Sequence, residues 1–197
     1  MPRVEALARE ELAEFEDFFA LVEGAMGFVP NSMLTLGRRP EIMRAFAALS
    51  GSVLMGGELD PALKQLVAFV ASNAAGCRYC QAHTAHGSER AGVPPEKLAA
   101  AFEFETNDLF CEAERAALRL ARDASLVPNE VHDAHFDALR AHFDDGEIVE
   151  LMAVVSLFGW LNRWNDSLST ELESGPLALA SERLAPHGWQ ASRHLRD

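Results

Sequence analysis

The chain has 197 residues, of which 49% are hydrophobic and 24% charged. That composition excludes disorder and supplies apolar side chains for one core, or for two small fused halves. Thirty acidic against 17 basic residues leave a net charge of -13, which repels nucleic acid and anionic membranes. Three cysteines are too few for a disulfide scaffold, but Cys77 and Cys80 stand three residues apart.

In chain order, helical periodicity dominates. Glu5–Gly24 reads as an amphipathic helix, with Leu12, Phe15, Phe18, Phe19 and Val22 near one face. Gly27-Phe28-Val29-Pro30-Asn31 reads as a turn, followed by a helix from Ser32 that stops before Arg39-Pro40. Glu41–Leu54 forms a third helix. Asp60-Pro61 opens a fourth, with Asp as N-cap and Pro at the first helical position, ending at Ala75-Gly76. Cys77–Ala91 is the next, closed by Gly92. Further helices are expected from Pro94 to Phe104 and over Cys111–Ser125, Asn129–His142 and Asp145–Trp164, before a less regular tail. No alternating stretch is flanked by hairpin turns, so an all-α fold is expected.

The apolar runs Leu66–Ala71 and Leu151–Trp160 are too short to span a bilayer, and no signal-peptide core stands at the N-terminus. A reducing, cytoplasmic setting is expected. There a close cysteine pair points to redox chemistry or metal.

Asp60–Ala71 and Asp145–Ser156 align without gaps at an offset of 85, which suggests a helical duplication. In this register Gln65 pairs with Glu150, and Cys77 and Cys80 pair with Asn162 and Asn165. The expected plan is one all-α domain over 1–197, with N-terminal helices over 1–58, a cysteine-bearing half over 59–105, and a second half and tail over 106–197.

Chemistry concentrates in Ala75-Gly-Cys77-Arg-Tyr-Cys80-Gln-Ala-His83-Thr-Ala-His86-Gly. Gly76 breaks a helix, so Cys77 stands at the next N-terminus, where free N–H groups and the helix dipole favour a thiolate. The two cysteines share a face and can form a disulfide. His83, one turn on, can exchange a proton with Cys80, and His86 follows a turn later. Four potential ligands at steps of three fan over half a helix and cannot converge on one ion, so no metal is expected. No Gly-rich phosphate loop or nucleophile elbow is present, and no cofactor is expected. Cys111 reads as a packing residue. Trp160 and Trp164, at i and i+4, are candidates to line an apolar pocket beside the thiols, with Tyr79 as a further lining residue and Arg163 as an anchor for an anionic substrate. The tail from Glu171 to Asp197 is a candidate cover for a neighbouring subunit.

On Gly27-Phe-Val-Pro-Asn31, the Leu59–Gly92 block and Asn162-Arg-Trp-Asn165, the chain resembles the alkyl hydroperoxidase D (AhpD)-like branch of the carboxymuconolactone decarboxylase superfamily, in particular its peroxidase-related members. The resemblance implies an all-α bundle, homo-oligomers (trimers or hexamers) and thiol-dependent reduction of organic hydroperoxides, regenerated by an external dithiol. It implies Cys80 as the attacking thiol and Cys77 as the resolving one, whereas helix-end electrostatics favour the reverse. The family's proton relay uses a Glu twelve residues before the first Cys and a His four after the second. Here those positions hold Gln65 and Thr84, leaving His83 and Glu150 as candidate substitutes. The alternative expectations are a redox sensor or oligomeric binding protein using the same pair, and, less favoured by two thiols, a decarboxylase- or lactonase-like enzyme.

Overall fold

The computed structural model describes residues 1–195. Ten α-helices follow one another, and no strand occurs among the described residues. They are α1 Glu16–Met26, α2 Asn31–Leu36, α3 Pro40–Leu54, α4 Pro61–Ala74, α5 Arg78–Arg90, α6 Pro95–Ala100, α7 Glu112–Ala124, α8 Asp133–Arg140, α9 Asp145–Leu168 and α10 Ser174–Arg183. The fold is the all-α bundle expected. No described helix is long and apolar enough to cross a membrane.

Helix α4 is the hub. Leu66, Val67, Ala68, Phe69, Val70 and Ala71 are consecutive and all buried, so this helix is enclosed on every side rather than amphipathic. It packs on α5, α7 and α9. Its start is the one foreseen: Asp60 Oδ1 accepts the Ala62 N–H at 2.8 Å, and Pro61 occupies the first turn. Gly76, at φ 75°, turns the chain into α5. Only glycine takes that left-handed conformation without strain.

Several boundaries differ from the periodicity. The N-terminal helix is not continuous from Glu5. A 3-10 helix covers Arg9–Phe15, with a break at Leu12 (φ -117°, ψ 31°), and α1 begins at Glu16. Helix α8 starts at Asp133 rather than Asn129, because the Glu130 and Val131 N–H groups donate to Asp123 O and Asn129 Oδ1. Helix α9 runs four residues past Trp164, to Leu168. The tail is more regular than expected. Its helix α10 packs against α5 of the same chain, and Trp189 Nε1 donates to Arg78 O at 3.2 Å. Residues 196 and 197 of that tail lie outside the described residues.

Two features anchor the site's frame from a distance. Lys64, 2% exposed, donates to Val53 O at 3.1 Å and Gly56 O at 2.5 Å and pairs with Glu150 at 3.0 Å. Glu150 also accepts the Glu58 and Leu59 N–H groups. Together they fasten the loop before α4 to α9, and the buried ammonium has three oxygen partners for its three N–H donors.

Candidate functional site

Both thiols of the cysteine pair are free and buried. Cys77 is the N-cap of α5. Its Sγ accepts the Cys80 N–H at 3.4 Å, so the sulfur does the work that a serine oxygen does at other helix starts. Cys80 lies one turn inside. Its Sγ accepts a hydrogen bond from Asn165 Nδ2 of α9 at 3.5 Å. Burial, and then the adjacent Cys77 thiol, push the Cys80 thiol well above its ordinary value, and the Asn165 amide opposes them only in part. Cys80 is therefore a protonated thiol at neutral pH.

The next turn of α5 carries a second cluster. His83 Nε2 lies 2.6 Å from Glu173 Oε2, and the two side chains are 9% and 11% exposed. Tyr79 O–H donates to Glu173 Oε1 at 2.9 Å, and the Asn31 N–H donates to the same oxygen at 2.5 Å. The Tyr79 and His83 rings stack with centroids 4.1 Å apart. Burial works against ionising Glu173, but the His83 charge, its hydrogen bond and the Asn31 N–H outweigh it, so its carboxyl lies below the usual range. Burial and Glu173 together push the Tyr79 hydroxyl well above its ordinary value. An ionised carboxylate thus sits beneath an aromatic stack, one helical turn from Cys80.

The turn before α2 closes this cluster from outside. Gly27, at φ 88°, reverses the chain after α1 and presents the Phe28 ring edge-on to His83 (5.4 Å) and His86 (5.5 Å). Arg90 holds that turn through the Gly24 and Ala25 carbonyls. His86 Nδ1 is buried without a partner. Burial, then His83 and Arg90, lower the His86 pKa and keep the ring neutral.

The structure separates other residues singled out above. Glu150 does not approach the thiols: it sits fifteen positions before Asn165 on α9, about 22 Å along the helix, and its carboxylate is spent on Lys64 and the loop. Gln65 packs against Gly87, where an added Cβ would meet its Oε1 at 2.4 Å, so it lies beyond Thr84 rather than at the sulfur. Thr84 Oγ1 donates to its own helix, to Cys80 O at 2.7 Å and Gln81 O at 3.2 Å. Trp160 and Trp164 stack at 5.2 Å and do line an apolar groove of about 640 Å³ with Leu36 and Arg163. The cysteines are not among its lining residues, and Asn165, not a tryptophan, is the α9 residue that bonds Cys80 Sγ. Cys111 is exposed at the start of α7 rather than packed in the core.

Glu173 is the residue the sequence concealed. It stands 90 positions from His83 at the N-cap of a helix that the tail's composition does not announce. The one available signal was Ser174-Gly175-Pro176 after an acidic residue, a helix start in an otherwise irregular stretch.

Comparison with known proteins bears on the family and the fold. The carboxymuconolactone decarboxylase family matches residues 40–123, which include both cysteines. The uncharacterized protein YnjA of Escherichia coli (strain K12) is 34% identical over 111 residues, 56% of this chain. The match spans 60% of YnjA, less than two thirds of its length. Among solved structures, the debrominase Bmp8 is 36% identical with a TM-score of 0.86, covering 91% of this chain and 96% of Bmp8. Bmp8 has also been solved as a Cys-to-Ala variant in complex with 2,3,4-tribromopyrrole. An alkylhydroperoxidase AhpD core protein, an uncharacterized peroxidase-related protein from Ralstonia eutropha JMP134, is 26% identical with a TM-score of 0.79, covering 89% of this chain and 94% of that one. The fold, the Cys77-x-x-Cys80 helix start and these matches place the chain in the AhpD-like branch of the carboxymuconolactone decarboxylase superfamily.

Proposed function

We propose that the protein is a dithiol-dependent reductase that removes a halogen from a small aromatic or heteroaromatic ring. The observation that carries this reading is the buried, free pair Cys77/Cys80 beside the Tyr79–His83–Glu173 stack, with burial pushing the Cys80 thiol above its ordinary value. A peroxide scavenger needs a standing thiolate, because the thiolate is the nucleophile. A thiol held protonated until an organic substrate binds suits committed turnover instead. The likeness to a debrominase over 91% of the chain supports the same reading.

The chemistry balances as follows. Cys80 loses its proton and its sulfur attacks the ring halogen. The carbon–halogen bond breaks, its electron pair stays on carbon, and carbon takes a proton. Cys77 then attacks the Cys80 sulfur, halide leaves, and a disulfide forms. The ring is reduced by two electrons, the two thiols are oxidised by two, and an external dithiol restores them. We assign proton movement to His83, whose ring is held by Glu173 and stacked on Tyr79.

Reduction of an organic hydroperoxide is the second reading, favoured by the likeness to the AhpD core protein. There Cys80 becomes a sulfenic acid as the alcohol leaves, and Cys77 condenses with it to release water. One experiment separates the two. The reduced protein is given 2,3,4-tribromopyrrole or tert-butyl hydroperoxide with excess dithiothreitol, and bromide release and peroxide loss are followed. Bromide release that Cys80→Ala abolishes is expected. Peroxide consumption without bromide would replace the first reading by the second. Activity indifferent to both cysteines would end them together.

A further inference from the structure

Asn162-Arg-Trp-Asn165 is the sequence motif to which neither reading assigns a task. Asn162 and Asn165 are 4% and 1% exposed. They stand three apart on α9 and are neighbours on its surface, and Asn165 is turned to α5 through its bond to Cys80. Asn165 spends its Nδ2 on Cys80 Sγ, but its Oδ1 has no partner in the protein. Asn162 has none for either end of its amide. A buried amide that the protein leaves unsatisfied costs free energy, and such groups in folded proteins mark places where something else bonds them. The unpartnered groups are two carbonyl oxygens, which accept, and the Asn162 NH2, which carries two N–H donors. Two acceptors call for a donor, and the Asn165 carboxamide ties its acceptor rigidly to the atom that touches sulfur.

We propose that the Asn162 and Asn165 amides form a polar subsite beside Cys80 that binds an N–H or O–H group of the substrate adjacent to the bond being reduced. The proposal rests on Cys80 being the reacting thiol. It names a substrate class: molecules with a hydrogen-bond donor next to the reacting centre, such as a halogenated azole through its ring N–H or a hydroperoxide through its terminal O–H. A ring or peroxide whose donor is methylated would leave the two carbonyls unpaired and would be rejected for that reason, as buried polar groups reject ligands that cannot bond them. When the Cys80 thiolate forms, the Asn165 N–H remains on the sulfur, so one amide holds the nucleophile and the substrate in register.

Binding is measured by calorimetry on the Cys80→Ala protein, so that no turnover intervenes. The ligands are 2,3,4-tribromopyrrole and its N-methyl derivative, with tert-butyl hydroperoxide and tert-butyl methyl peroxide as competitors in a second arm. The N–H ligand is expected to bind about tenfold more tightly than its N-methyl form, the value of one hydrogen bond. Adding Asn162→Leu should erase that ratio. The same variant should melt at or above the parent's temperature, since leucine replaces an amide with no protein partner. The arm in which methylation matters identifies the donor as nitrogen or oxygen. Equal binding of parent and methylated ligands, or no binding of any, overturns the proposal. A lower melting temperature with the ratio intact also overturns it, by making the amide a structural group bonded to internal water. If bromide release and peroxide loss both failed, a preference for the unmethylated ligand that vanishes with Asn162→Leu would still stand, so the two failures are distinguishable.

Discussion

Replacing Glu173 by glutamine tests the cluster beside the thiols most directly. In the structure one carboxylate oxygen accepts the Asn31 N–H at 2.5 Å and the Tyr79 O–H at 2.9 Å, and the other faces His83 Nε2 at 2.6 Å. Glutamine keeps one acceptor oxygen, which can serve Asn31 and Tyr79. Its amide nitrogen is a donor and confronts the His83 N–H. One charge-assisted bond is lost in a site 11% exposed, so about 2 kcal/mol of stability should go at pH 7. For a chain of this size that lowers the melting temperature by about 4–8 °C. The pH dependence has a definite sign. The folded carboxyl lies below its ordinary value, so its contribution is complete above the unfolded value of about 4.3 and fades as pH falls through the folded one. Urea unfolding of Glu173→Gln and wild type should therefore differ fully at pH 7, and the gap should narrow as pH falls below the unfolded value and through the folded one. A gap that widens as pH falls below the unfolded value, or no gap at pH 7, would refute the assignment of Glu173 as an ionised, His83-bound carboxylate.

Other outcomes follow from residues placed above. Lys64→Met should cost about 3 kcal/mol in urea unfolding, because Glu150 and two loop carbonyls lose a buried cation at once. A disulfide-exchange reagent should modify one thiol rapidly and two slowly in the native protein, and all three rapidly in urea. The fast one is the exposed Cys111, and Cys111→Ser should remove that phase.

The sequence disclosed helices better than it disclosed the site. Asp60-Pro61, Ala75-Gly76 and Cys77 mark ends with local chemistry, and the ends of α4 and the start of α5 fall there. Residues 129–132 look helical in pattern, yet the Glu130 N–H goes to Asp123 O at the end of α7, and the Val131 and His132 N–H groups go to the side chains of Asn129 and His135. Glu150 aligns with Gln65 in register, but α9 continues unbroken where Gly76 breaks α4 from α5, so it lies at the far end from the sulfur. The same register that misplaced Glu150 paired Cys80 with Asn165, and these two residues touch, 85 positions apart. Glu173 reaches His83 through the docking of α10 on α5, and the local helix-start signal at Ser174-Gly175-Pro176 does not say where that helix packs.

The division of labour between α5 and the tail has an engineering consequence. In the proposed reaction the sulfur chemistry falls to residues 77–80, and the carboxylate is residue 173, held on by α10, the Trp189 indole and the pairing of Leu172 N–H with His194 O. Reactivity and acid–base tuning therefore sit on separable stretches of chain. Exchanging the terminal 25 or so residues among proteins of this architecture becomes a route to new pH optima on an unaltered dithiol, in the way a detachable handle alters a tool without regrinding its blade.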